Sequence, residues 1–294
     1  MKKFLTIIIG VMLLGAVAFA AVGCNKGAAD TINVFSREDG SGTRSAFTEL
    51  TGVLVENEDG TETDMTFSGA SFQNSTNAIM TAVAQDKNAI GYVSFGSLND
   101  TVKAVAVNGV APSVDTIKDK SYELQRPFNI AYKQSNIDSK PLAADFLGFL
   151  GSAQAQEVIA AEKYIVTDDN APAYAKGSDL TGSITIGGSS SVSPLMEKLI
   201  EKYCELSGVA KKSIELQTID STAGMNGAIG GTFDIGMASR EVKDSELEQG
   251  ITAEVLAYDG IAVIVHNDNA VEDLSMEQIR QIFTGAVREW SALA

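Results

Sequence analysis

Between Val34 and Phe47 the chain reads Ser36-Arg37-Glu38-Asp39-Gly40-Ser41-Gly42-Thr43-Arg44. These residue types suit the capture of a small tetrahedral oxyanion, most simply phosphate. Gly40 and Gly42 let successive backbone N–H groups converge, and Ser41 and Thr43 add hydroxyl donors. A helix opening at about Arg44-Ser45-Ala46-Phe47 would bring partial positive charge to the same place. Arg37 supplies a forked, permanently charged donor, with Asp39 close enough to hold its guanidinium. A plain helix-entry turn can look similar; the arginine and the density of donors favour an anion site.

Three more hydroxyl-rich turns follow strand-like runs. They are Gly187-Gly188-Ser189-Ser190-Ser191, Asp220-Ser221-Thr222-Ala223-Gly224 and Gly236-Met237-Ala238-Ser239-Arg240-Glu241. Each alone is an ordinary capping sequence. Together they would surround an anion if the C-terminal ends of their strands face one cleft. Enzyme chemistry lacks parts by comparison. His266 is the one histidine, no Gly-x-Ser-x-Gly elbow occurs, and the Gly-Lys-Ser/Thr ending of a P-loop is missing after Gly42. No catalytic residue, metal or cofactor is expected.

The elements that must position these turns alternate in type. Strands are predicted at Thr31–Ser36, Ala89–Phe95, Val102–Val107, Pro127–Lys133, Ser183–Ile186, Ser213–Thr218, Asp234–Ala238, Ala253–Tyr258 and Ile261–His266. Helices fall between them: one with Pro194 in its first turn and Gly208 as its stop, a short one over Met225–Ile229, one capped by Ser275 and Gln278, and one or two across Leu142–Ile165. The pattern is α/β. Glu56–Asp64 reads as a surface loop or hairpin, and 168–181, rich in Asp, Pro, Gly and Ser, as a linker.

The chain opens with Lys2 and Lys3, continues through an apolar stretch to Val22, and reaches Ala21-Val22-Gly23-Cys24. This reads as a signal sequence over 1–23 with a lipobox, Cys24 carrying the lipid and 24–29 forming a tether. Ala21 replaces the commoner Leu of such a box, so a simple cleaved signal or an uncleaved anchor are the alternatives; all three export the protein. Cys204, the only other cysteine, sits in a helical pattern and reads as a small buried hydrophobe. Removing residues 1–23, which hold two lysines and no acid, moves the net charge from −16 to −18. That surface argues against nucleic acid. It also repels anions at long range, so oxyanion affinity must come from short, desolvated hydrogen bonds.

Taken together, Gly188-Ser189-Ser190-Ser191, Asp220 to Gly224, Asp234 to Glu241, Gln278 to Gly285 with Trp290, and Ser36 to Arg44 resemble the phosphate-binding proteins of bacterial ABC phosphate transporters. Ile90-Gly91-Tyr92-Val93, Arg126-Pro127-Phe128 and Asp259 to Val265 are similar to that family too. Their order differs. In the family the Gly-Ser-Ser turn comes near the mature N-terminus and the Ser-Arg-Glu-Asp-Gly-Ser-Gly-Thr run follows the helix and Trp found here at the end of the chain. The sequence therefore resembles a circular permutant, with 168–181 joining the old ends.

The resemblance implies a two-lobed, type II periplasmic binding protein fold with ligand between the lobes. Lobe I would be 128–263, and lobe II would be 30–127 with 264–294. The matching ligand positions are Arg37, Ser41, Gly42, Thr43, Ser190, Ser191, Ser221 and Ser239, with Asp39 in support. Studied members carry Asp where Ser239 stands, to accept the proton that distinguishes phosphate from sulfate; here either Ser239 accepts through its own oxygen or Asp39, Asp220 or Glu241 approaches. The implied function is capture of inorganic phosphate by a monomer, lipid-anchored at the extracytoplasmic face of the cell membrane, and delivery to the permease subunits of an ABC importer. The alternatives are a binding protein for sulfate or molybdate, a secreted phosphate sensor, or a phosphohydrolase.

Overall fold

The computed structural model describes residues 30–293. The signal sequence, the lipobox with Cys24 and the tether 24–29 lie outside the described residues. Among those described, no helix is long and apolar enough to cross a membrane.

Eight strands carry the architecture: β1 Asn33–Arg37, β2 Ser71–Gln73, β3 Ala89–Ser94, β4 Gln125–Tyr132, β5 Ile184–Ser189, β6 Ile214–Ile219, β7 Ile235–Ala238 and β8 Thr252–Val265. They lie in the order β6-β5-β7-β4-β8-β3-β1-β2, with a short ninth strand, Lys103–Ala104, beside β8. β5, β6 and β7 run parallel to one another, as do β1, β2 and β3. β4 and β8 pair antiparallel between the two sets.

Two main cores flank this one sheet. Phe128, Ile130, Ile186, Leu199, Met237, Leu256 and Ala257 belong to the first, that of lobe I. Val34, Phe47, Tyr92, Leu124, Ile261, Val263 and Ile282 belong to the second, that of lobe II. Smaller clusters cover the opposite sheet faces, around Ile79 and Val93 in lobe II and around Ala131 and Met225 in lobe I. Burial on both faces explains the unbroken apolar runs in strands such as Ala89–Ser94. The chain changes core between Leu124 and Phe128 on β4, and between Ala257 and Ile261 on β8.

Two predicted strands, Ala253–Tyr258 and Ile261–His266, are one. β8 runs straight through Gly260, with an irregular register between Val255 and Ala257. The reason is that Gly260 faces Ile117, whose Cδ1 would lie 2.5 Å from a Cβ there, so the glycine serves close packing and not chain reversal. Predicted strand Val102–Val107 survives only as two dipeptide pieces, Lys103–Ala104 and Ala106–Val107.

Seven helices of at least nine residues connect the strands: α1 Gly42–Leu50, α2 Thr76–Ala84, α3 Pro141–Leu150, α4 Ala153–Ala161, α5 Ser193–Ser207, α6 Ser221–Gly230 and α7 Met276–Thr284. Their ends follow from local chemistry. Ser41, Ser75 and Asp220 cap α1, α2 and α6 by accepting the N–H groups of Arg44, Ala78 and Ala223. Ser275 and Gln278 form the capping box of α7. Gly208 ends α5 in a left-handed conformation at φ 76°.

Of the two readings of Glu56–Asp64, loop or hairpin, the structure has the hairpin: strands Leu54–Glu56 and Glu62–Asp64 joined by a turn over 57–61. The segment 168–181 has no helix or strand, yet it is fastened down. Asp145 of α3 accepts from Gly177 N at 2.6 Å and Tyr174 Oη at 2.5 Å, and Ala153 N donates to Pro172 O at 2.8 Å.

Candidate functional site

β1 and β3 deliver their C-terminal ends to the same place as β5 and β7, and four helices start there. α1 and α2 bring their first turns from lobe II; α5 and α6 bring theirs from lobe I. Helix starts present unpaired backbone N–H groups and partial positive charge, so their convergence alone favours an anion.

Side chains complete the arrangement. Arg37, the last residue of β1, is 2% exposed. Its backbone N–H donates to Tyr92 Oη at 3.2 Å, and the same phenol lies 2.8 Å from Ser36 Oγ. Tyr92 stacks on Phe47 with ring centroids 3.9 Å apart, which makes a rigid floor beneath the arginine. Burial pushes the Tyr92 hydroxyl above its ordinary pKa, so it stays a neutral hydrogen-bonding group.

The Arg37 fork meets Glu38: Nε to Oε2 and Nη2 to Oε1, both at 2.8 Å. Nη2 also donates to Ser190 Oγ at 3.0 Å, across the cleft. Nη1 reaches only Thr76 Oγ1, at 3.5 Å, and is the least committed end of the guanidinium. The expectation that Asp39 holds Arg37 is therefore corrected. Asp39 is exposed and pairs with Arg44 Nη1 at 2.5 Å. Glu38, 23% exposed, has the place because the chain turns away only after it, at Gly40 with φ +85°.

A net of hydroxyls surrounds this arginine. Thr43 Oγ1 lies 2.9 Å from Ser191 Oγ and 3.5 Å from Ser239 Oγ; Thr76 Oγ1 lies 3.0 Å from Ser191 Oγ. Ser189 donates to Ser239 Oγ at 2.9 Å, and Ser239 Oγ is 3.4 Å from Ser221 Oγ. Ser221 Oγ in turn accepts Ser239 N at 3.1 Å. All of these serines and threonines are buried. Gly42 is obligatory at this meeting point: a Cβ there would sit 2.3 Å from Ser221 Oγ and 3.0 Å from Ser239 Oγ. Ser41 is buried beside it and caps α1.

The structure thus brings Arg37, Thr43, Ser190, Ser191, Ser221 and Ser239 into one cluster, with Ser41 and Gly42 at its edge. Ser189, Thr76 and Glu38 join them without having been singled out from sequence. Ser189 was visible as part of the Gly-Ser-Ser-Ser turn, whereas Ser75-Thr76 looks like any helix cap. Of the carboxylates considered for the place opposite Ser239, Asp220 caps α6, Asp39 faces solvent and Glu241 is exposed. Among the described residues none of the three hydrogen-bonds Ser239.

Elsewhere the readings are plainer. His266 Nδ1 accepts Asp268 N at 3.0 Å, a strand-end contact. Cys204 is half-buried and burial pushes its thiol upward, away from reactivity. Among the described residues, no group of three or more His, Cys, Asp or Glu side chains is placed to hold a metal ion.

The model of the PBP superfamily domain matches residues 20–154 and 173–294. A phosphate-binding protein, PstS 2, of Streptococcus agalactiae is 44% identical over 286 residues, covering 97% of this chain and 95% of the relative. PstS 2 of Streptococcus pneumoniae is 41% identical and is covered to 99%, as is this chain. The crystal structure of the phosphate-binding protein of a phosphate ABC transporter from Streptococcus pneumoniae superimposes with a TM-score of 0.69 at 41% identity. It covers 90% of this chain and 100% of that one.

Proposed function

This chain belongs to the PBP superfamily and, within it, to the phosphate-binding proteins of ABC transporters, and from that membership we propose how its cleft works. It captures inorganic phosphate on the extracytoplasmic side and delivers it to an ABC importer, acting by binding and not by catalysis. The observation that carries the assignment to this cleft is Arg37: one guanidinium, 2% exposed, ringed by hydroxyls drawn from both lobes.

The net charge of −16 works against any anion at a distance, but it is screened beyond about 8 Å in physiological salt. Inside the cleft, desolvated donors take over. Phosphate oxygens replace the hydroxyl-to-hydroxyl contacts that now link Thr43 and Thr76 to Ser191 across the lobes, Ser190 turns from Arg37 to the ligand, and Nη1 of Arg37 supplies charge. Ser239 occupies the place where the resemblance noted in the sequence implies an acid. A hydroxyl both donates and accepts, so Ser239 can accept a hydrogen bond from a protonated ligand oxygen as well as donate one.

One feature of the structure supports the circular permutation, and one comparison shows that the order is not peculiar to this chain. Ile32 N donates to Arg288 O at 2.8 Å and Trp290 N to Asp30 O at 3.0 Å, so the segments that the permutation separates lie side by side. The Streptococcus agalactiae relative aligns across 95% of its own length, so this order is also that relative's. The two cores support the first crossing at about 127–128 and draw the second back from 263 to about residue 260, because Ile261 and Val263 pack in the core of lobe II. Lipid anchoring through Cys24 and a monomeric state complete the proposal; globomycin-sensitive processing and light scattering test them.

Isothermal titration of phosphate-stripped protein tests the function. One phosphate should bind per chain, and sulfate or molybdate should fail to displace it. Absence of binding heat, or displacement by equimolar sulfate, would move the assignment to another oxyanion or end it.

A further inference from the structure

Arg126 and Asp259 belong to motifs that the phosphate ligands leave unexplained. Both are sealed from solvent, with side chains 1% and 0% exposed. They face each other across the β4–β8 ladder at the level where both strands pass from one core to the other. A buried ion pair there needs a reason, because desolvation makes such pairs poor contributors to stability.

The contacts give one. Arg126 Nη2 donates to Asp259 Oδ2 at 3.1 Å, while Nη1 donates to the backbone carbonyl of Ser239 at 3.0 Å. Asp259 Oδ1 accepts the N–H of Gly96, just past the end of β3 in lobe II, at 3.3 Å. The guanidinium also lies over Phe128, 5.3 Å from the ring centroid. A few residues further along β4, Asn129 holds the carbonyl of Arg240 at 2.8 Å. Residues 239 and 240 are thus gripped from behind by side chains of β4. On the other side Ser239 presents its N–H to Ser221 and its hydroxyl to the cluster.

We propose that Arg126 is a positioning residue of the anion site: it fixes Ser239 in lobe I and, through Asp259, ties that grip to the end of β3 in lobe II. Closing the lobes and aiming Ser239 then share a single guanidinium. The pair touches no ligand position except through the Ser239 backbone, and it rests on the phosphate reading of the cleft given above.

The test compares the wild-type protein, first shown to bind phosphate, with Arg126→Lys and with the double variant Arg126→Gln/Asp259→Asn. Phosphate affinity is read by titration, thermal stability without ligand by melting, and the ligand-induced decrease in radius of gyration by solution scattering. Arg126→Lys keeps a positive charge for Asp259 but has no planar fork to reach the Ser239 carbonyl as well. The double variant removes both charges and leaves a neutral pair. Both should keep a cooperative melt yet bind phosphate at least tenfold more weakly, with a smaller compaction at saturating phosphate. A merely structural pair predicts otherwise: affinity and compaction would stay within about twofold of wild type in whichever variant folds. That result in either variant overturns the proposal. If the double variant does not fold, Arg126→Lys decides alone. A wild-type protein with no phosphate affinity would instead count against the functional assignment.

Discussion

Two buried arginines stand near the cleft with a carboxylate each, and they are built for different ends. Arg37 and Glu38 are neighbours in sequence, and Glu38 keeps 23% of its side chain in solvent. Arg126 and Asp259 are 133 residues apart and both are sealed. In the first pair the partner can be rehydrated cheaply if the guanidinium is drawn toward a ligand. In the second, neither charge has anywhere to go, and burial alone drives the Asp259 pKa up and the Arg126 pKa down, each opposed by its partner. Local, half-wet pairing leaves an arginine available; distant, dry pairing makes it part of the frame.

Breaking the dry pair should have the largest effect. Asp259→Ala leaves a buried, unpaired guanidinium and should cost about 3–5 kcal/mol of unfolding free energy, read by urea denaturation. A loss below about 1 kcal/mol would mean that water reaches Arg126 and that the contrast is false. Arg37→Ala should do the opposite: phosphate affinity falls about 100-fold, roughly 2.7 kcal/mol, while stability changes far less. Unchanged affinity in calorimetry would remove Arg37 from the site.

A third pair, Arg240–Glu246, falls between them at 5% and 10% exposure, with two hydrogen bonds of 2.9 and 2.7 Å. Burial pushes the Glu246 carboxyl upward, but hydrogen bonds from Arg240 and from Lys243 N outweigh it and leave the pKa below the ordinary glutamate range. A depressed folded-state pKa contributes stability above the unfolded value and loses it as pH falls through the folded one. Glu246→Gln should therefore flatten the acid limb of stability against pH below about 4.5, with little change at lower pH still. An unaltered limb would exclude the pair from acid unfolding. The smallest effect belongs to Asp39→Asn, which touches only Arg44 at the surface. Phosphate affinity should stay within about twofold, and a tenfold loss would return Asp39 to the side of Arg37.

What sequence made legible followed from position relative to strands. Ser190, Ser221 and Ser239 each come at or just after a strand that ends at the cleft, and Arg37 ends another, so reading strand ends found them. Thr76 escaped because β2 before it is three residues long and exposed, with no apolar alternation to announce it. Asp39 lies two residues from Arg37, but closeness along the chain does not set the direction of a side chain. In fact the turn at Gly40 swings Asp39 outward after Glu38 has already met Arg37. The predicted gap between Tyr258 and Ile261 is absent because a glycine that serves close packing, Gly260, looks the same in sequence as one that serves a break.

β8 continues the sheet from one lobe into the other, paired with β4 over Thr252–Gly260 and with β3 over Ile261–Val265. Relative rotation of the lobes is therefore a change in sheet twist, a soft coordinate that ranges over roughly −10 to −35° between neighbouring strands. The amides of this waist, paired along both ladders and buried over Ala257 and Gly260–Val265, should be among the slowest in the molecule to exchange with deuterium.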